Sequence, residues 1–176
     1  MVYGIVAPTV PIVFEEKQIP EMYEGLIFAI YGLPMILFSP YVPALIKTYS
    51  SNSVQAWGVL FCGVCVCGIG AIEYMESPEK IIAYSLTLRL FQGTCQSMIQ
   101  TACYAVAATD FKSNQDAVIG YLEVMLGLGL GMGPVLGSCL YAAFGFDVSY
   151  YIVGISMFCF AALITFAPRD SSRSSN

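Results

Sequence analysis

The chain has 176 residues, 57% of them hydrophobic and only 11% charged, with a net charge of -5 and no histidine. Soluble domains usually carry about 25% charged residues, so this composition argues against a water-exposed globule. No basic tract suggests nucleic acid as a partner, and no imidazole is available for metal or proton chemistry.

In chain order, residues 1–14 form an uncharged run punctuated by prolines. It is too short to cross a bilayer and lacks the basic start and small-residue cleavage site of a signal peptide. It reads as the outer end of a first spanning helix, as in a fragment or a chain begun at an internal methionine. Five longer runs follow. Residues 25–46, 54–72 and 148–168 contain no Asp, Glu, Lys or Arg, while 81–108 and 117–146 hold one each, Arg89 and Glu123. A bilayer core takes about 20 helical residues to cross. Inside it every backbone amide must pair within its own segment. The prediction is an all-α polytopic transmembrane bundle over residues 1–168. It has the partial helix at 1–14 and five complete helices at about 22–46, 54–74, 79–108, 115–145 and 148–168. The polar, Ser-rich tail 169–176 is expected to be disordered.

Alternating the loops places 15–24, 73–80 and the stretch near Asp147 on one side, and 47–53, 109–116 and the tail on the other. Lys47, Lys112, Arg169 and Arg173 then stand against Lys17 and Lys80, which favours a cytoplasmic second side and C-terminus. Cys62, Cys65 and Cys67 lie mid-run, where helical spacing sends Cys62 and Cys67 to different faces. Structural zinc takes four ligands, commonly with histidine, whereas free cysteine acts as a small hydrophobe. No metal site, cofactor or enzyme chemistry is expected.

The interior polar residues carry the functional reading. A basic group at bilayer depth costs ~2.5–3.5 kcal/mol on insertion scales, so it is usually enclosed and often functional. At about 100° per residue, Gln92, Gln96 and Gln100 fall on the Arg89 side of the helix, with Gly93 and Ala107 alongside. That stripe suits a wet cavity; interhelical hydrogen-bond glue, with Arg89 snorkelling to the interface, is the alternative. Glu123 is expected to titrate, to hold an organic cation, or to pair with Arg89 if their depths match. The run GLGLGMGPVLG stacks Gly127/Gly131, Gly129/Gly133 and Gly133/Gly137 as close-approach pairs, and Pro134 removes an amide. A moving seam between helices is expected there. Pro34, Pro40 and Pro43 predict a bent second helix.

Two motifs carry a resemblance over nearly the whole chain. LTLRLFQGTCQSM is similar to the fourth-helix motif of proton-coupled major facilitator superfamily transporters, with Arg89, Gln92 and Gly93 at its positions. GLGMGPVLGS resembles the fifth-helix antiporter motif, with Gly133, Pro134 and Gly137 in register. YGIVAPTVPI is similar to the first-helix ending of drug:proton antiporters and vesicular amine transporters. The loop motif between helices two and three departs: in PALIKTYSSNS, Pro43 replaces a glycine, Lys47 an aspartate and Ser50 the second glycine.

The resemblance implies the N-terminal six-helix half of a secondary active transporter that moves a small organic solute by alternating access, coupled to protons. Arg89 would serve coupling or substrate contact. Gln92, Gln96 and Gln100 would line the path, Glu123 would titrate or pair, and Gly93, Gly129, Gly133, Pro134 and Gly137 would form the conformational seam. Its partners would be the lipid bilayer, the solute, protons, and a C-terminal half, a second copy or another membrane subunit. A non-transporting accessory or assembly subunit built on a half-transporter scaffold is the alternative reading.

Overall fold

The computed structural model describes the backbone of residues 2–20 and 22–166, with side chains from residue 8 onward within those limits. The tail 169–176, with Arg169 and Arg173, lies outside the described residues, as does Glu21. Seven α-helices account for the described chain: α1 (Val2–Glu16), α2 (Met22–Phe38), α3 (Val42–Tyr49), α4 (Ser51–Gly70), α5 (Pro78–Asp110), α6 (Gln115–Phe144) and α7 (Phe146–Phe166). A 3-10 turn, Ser39–Tyr41, joins α2 to α3, and a second, Ala71–Tyr74, extends α4.

Four stretches are long and apolar enough to cross a membrane: Met22–Tyr49, Ser51–Tyr74, Gln115–Phe144 and Phe146–Phe166. The fifth expected span, 79–108, is also a helix. The longest helix, α5, has 33 residues, about 50 Å at 1.5 Å per residue. Its arginine and glutamines dilute its apolar character, and it is absent from that set.

Prolines set the shape of the Met22–Tyr49 span. Pro34 lies inside α2, and Pro40 and Pro43 fall in the 3-10 turn and the first turn of α3. A proline withholds one amide and crowds the preceding turn, so the helix is interrupted at Ser39–Tyr41 and restarts. The next junction turns on one residue. Ser50 has φ 76° and ψ 153°, a region populated almost only by glycine and costing other residues about 1–3 kcal/mol. It is the position where the loop motif has its second glycine. Gly145, φ 82°, makes the equivalent sharp turn between α6 and α7 without that cost.

The centre of the bundle is α4, which packs most extensively against α7 and then α5. Glycines on two of its faces allow this. A Cβ at Gly58 would sit 3.1 Å from the Cys95 carbonyl oxygen of α5. One at Gly63 would sit 3.2 Å from the Gly154 carbonyl oxygen and 2.9 Å from the Phe158 ring of α7. Cys67 presses its sulfur onto Gly154 from the other side of the same contact. Elsewhere α5 rests on α2, and α6 mainly on α1. The buried apolar cluster includes Phe14, Ile27, Cys62, Val66, Ile69, Ile72, Ile81 and Tyr150.

One end of the bundle is stitched together by polar contacts. Lys17 Nζ donates to the carbonyl oxygens of Glu73 (3.1 Å) and Met75 (2.7 Å). The Asp147 amide donates to Glu73 Oε2 (3.0 Å), and the Tyr74 hydroxyl donates to Asp147 Oδ2 (2.6 Å). The α1–α2 connection, the α4–α5 connection and the α6–α7 turn therefore share one end, on three separate chain crossings.

Two substitutions test this packing. Gly63→Leu forces side-chain atoms against backbone and is expected to cost about 1–3 kcal/mol, read as a lower unfolding midpoint of the purified protein in detergent. Ser50→Gly relieves the backbone at the α3–α4 turn and is expected to stabilise the protein by about 0–2.5 kcal/mol once glycine's extra unfolded-state entropy is counted, read as a higher midpoint.

Candidate functional site

Arg89 lies in the first half of α5 and is 1% exposed, as is Gln92 one turn on. Arg89 Nη1 donates to Gln92 Oε1 at 2.9 Å, and the guanidinium carbon stands 5.6 Å from the centre of the Phe28 ring on α2. The Cys62 thiol of α4 lies close to Gln92. Tyr150 of α7 lies within electrostatic range of Arg89, and its hydroxyl bonds the Thr9 hydroxyl of α1 at 2.7 Å. Thr9 and Tyr150 are each 1% exposed. Arg89 makes further contacts besides these. Five helices thus converge on one buried polar knot.

The helical stripe predicted from Arg89 to Gln100 does not form one cavity surface. Arg89 and Gln92 are enclosed, whereas Gln96 and Gln100 are half-buried. The reason is packing: α2 and α4 lie against α5, the polar pair of α1 and α7 caps the Arg89 end, and Gln96 and Gln100 are left partly open. There, Gln100 Nε2 donates to the Tyr104 hydroxyl at 3.1 Å, and that hydroxyl donates to Glu123 Oε1. A recess of about 210 Å³ adjoins this chain, lined by Met35, Ser39, Ser97, Gln100, Thr101 and Tyr104.

Direct pairing of Glu123 with Arg89 is corrected by this geometry. Tyr104, which holds the carboxylate, is fifteen residues beyond Arg89, about 22 Å along the helix axis. That is well past the length of any side chain. Tyr104 was legible in principle, because fifteen steps of 100° return it to within about 60° of Arg89. Thr9, Ser97 and Tyr150 gave no comparable signal, since a single hydroxyl in an apolar run is unremarkable in sequence.

The expected seam splits by face. Gly129, Gly133 and Gly137 are the buried residues of α6, one row at four-residue spacing on the helix that packs on α1. Pro134 beside them is half-buried. Gly127 and Gly131, expected to form a further pair, have nothing within 4 Å of a would-be Cβ, so no described helix approaches that face. Gly93 seats α2 instead: a Cβ there would overlap the Tyr31 carbonyl oxygen and stand 2.8 Å from Pro34 Cγ.

The Thr9–Tyr150 pair offers a clean energetic test of the knot. A double-mutant cycle with Thr9→Val and Tyr150→Phe should give a coupling of about 0.6 kcal/mol, within the ~1.7 kcal/mol ceiling seen for hydrogen bonds between membrane helices. Equilibrium unfolding in mixed detergent would measure it, and a coupling of zero would mean the two hydroxyls are neighbours without being partners.

Comparison with known proteins places this geometry. The family model for the Major Facilitator Superfamily matches residues 1–176. The MFS-type transporter SLC18B1 of Mus musculus is 29% identical over 154 residues, covering 88% of this chain and 34% of that protein. The multi-drug resistance efflux pump PmrA of Streptococcus pneumoniae is 24% identical over 166 residues, covering 92% of this chain and 40% of the pump. The class H tetracycline resistance protein of Pasteurella multocida is 25% identical over 146 residues, covering 78% and 33%. No solved structure matches. The chain spans about a third of the length of the SLC18B1 proteins it matches. A buried arginine on a polar helix, enclosed by apolar helices of membrane-spanning length, is thus found in a multi-pass membrane chain that belongs to the major facilitator superfamily.

Proposed function

We propose that this chain is one transporting half of a secondary active carrier, moving a small organic solute by alternating access and driven by protons. The observation that carries the reading is the enclosed Arg89–Gln92 pair. A membrane protein that needed only a stable bundle would do better with apolar side chains there, because a buried arginine costs several kcal/mol unless its partners and its role offset it. Relatives whose names denote an efflux pump and transporters support solute movement as that role.

In this reading Arg89 is the charge that proton coupling acts on, and Gln92 fixes its guanidinium. Gln96, Gln100 and Glu123 border the solute path, with Glu123 exchanging its proton or its partner during the cycle. The row Gly129, Gly133, Pro134 and Gly137 lets α6 slide on α1, and Gly93 keeps α2 against α5. The helix α5 crosses the membrane as a fifth full span, sheltered from lipid by its neighbours. A second six-helix half, a second copy or another subunit completes the path, since such carriers hold solute between two halves. The end bearing Lys47 and Lys112 faces the cytoplasm.

The test is energised uptake into membrane vesicles, with tetracycline, the compound in one relative's name, as the fluorescent solute and an imposed pH gradient as the driver. Arg89→Ala should lower gradient-driven uptake by roughly tenfold or more while membrane insertion, checked by protease protection of the loops, stays intact. Unchanged uptake would remove Arg89 from the mechanism. Glu123→Gln should slow the same flux if its proton is exchanged during turnover.

A further inference from the structure

We infer that the recess between α2 and α5 is a head-group subsite for the hydroxyl-bearing end of an uncharged solute, with Ser97 as its central ligand. The inference rests on the transport reading for its purpose but not for its geometry. At about 210 Å³ the recess is smaller than the ~300–1,000 Å³ pockets that hold a drug-sized molecule. It has the room of roughly seven waters at ~30 Å³ each. It therefore fits one end of a solute and not a whole one.

Ser97 is the observation that points to a ligand. It is 2% exposed and lines the recess, yet its hydroxyl oxygen has no hydrogen-bond partner among the described residues. A helical Ser or Thr commonly satisfies its hydroxyl on a carbonyl three or four residues back, as Thr87, Thr94, Ser156 and Thr165 do here. Ser97 does not. A buried hydroxyl left unmade costs about 1–3 kcal/mol, a cost that a ligand entering the recess would offset.

The rest of the lining selects the ligand's chemistry. Gln100 has spent an amide hydrogen on Tyr104, and Tyr104 has spent its own on Glu123. The side chains lining the recess are neutral: Met35, Ser39, Ser97, Gln100, Thr101 and Tyr104, with the adjoining carboxylate, Glu123, already accepting from the Tyr104 hydroxyl. A charged head group would shed its water there with no counter-charge in the lining itself, the adjoining carboxylate being already engaged by Tyr104. A hydroxyl can donate to one of these groups and accept from another, replacing both of its bonds to water.

Covalent labelling tests the site without requiring any flux, so a chain that fails to transport still gives an answer. The full chain carrying Ser97→Cys, in lipid nanodiscs, is treated with a small water-soluble methanethiosulfonate, and the modified cysteine is located by mass spectrometry. Thr101→Cys is run in parallel in case the first variant does not fold. The expected result is labelling that erythritol slows by at least about threefold at twice its dissociation constant, with no protection by methylammonium. Ser39→Ala should weaken the erythritol protection and leave labelling in place. Absence of labelling at both positions would overturn the site. Labelling that erythritol leaves unchanged, or that methylammonium protects, would overturn the ligand class.

Discussion

Enclosing one guanidinium inside an apolar bundle is the constraint around which the other polar contacts arrange themselves. Arginine cannot shed its proton in a protein and offers five donors in a fixed fork, so every wall of its site must be chosen. Gln92 takes one of those donors. The Phe28 ring presents its electron-rich face at 5.6 Å, a contact worth about 0.5–2 kcal/mol depending on desolvation. Cys62, Thr9 and Tyr150 complete the surroundings from three further helices. The knot is a point of convergence for α1, α2, α4, α5 and α7. Of the long helices, α6 contributes none of the contacts described there and reaches α5 through Glu123 instead.

Such convergence demands that backbones come close, and this explains where the small residues of α4 are spent. Gly58 and Gly68 face α5, while Gly63 and Gly70 face α7. In lipid there is no hydrophobic gain from bringing two apolar helices together, so close van der Waals packing has to supply the attraction. The result is a gradient of burial. In the most apolar window of the span containing α4, 56% of residues are buried, against 11% for the span containing α2 and 17% for α6. Residues such as Met125, Val135 and Leu128 on α6 and Ile36 on α2 remain exposed, as they can when the surrounding medium is itself hydrocarbon.

The sequence revealed the bundle because length and freedom from charge are first-order properties of a membrane span. It revealed Arg89 for the same reason, since a lone charge in such a run stands out against its neighbours. What it could not reveal was which neighbours close over that charge. Gln92 and Gln100 look alike on a helical wheel, yet one is sealed inside the bundle and the other borders a recess. The glycines show the same limit. The eye is drawn to the dense run on α6, but Gly127 and Gly131 touch nothing described, while the scattered glycines of α4 hold the core together. Periodicity gives the direction of a side chain; whether another helix lies in that direction is a property of the assembled fold.

The separation of the two polar sites on α5 then has a mechanical consequence. The Arg89 knot and the Gln100–Tyr104–Glu123 chain are set about 22 Å apart on one continuous helix, so neither can influence the other by contact. Any exchange must pass through displacement of α5 itself, or through the helices that grip it. The first site grips α5 from several sides, whereas the second ties it to α6 by a single hydroxyl bridge. A rotation or shift of α5 that leaves the knot packed would therefore be felt at Cys103 and Tyr104, where the Gln55 hydrogen bond from α4 and the hydroxyl bridge to Glu123 of α6 would have to break. The stitched connections at Lys17, Glu73 and Asp147 work in the same direction, because they hold the ends of α1, α4 and α7 together near the Arg89 half. The C-terminal half of α5 is the one that borders the recess and reaches Glu123 of α6 through Tyr104.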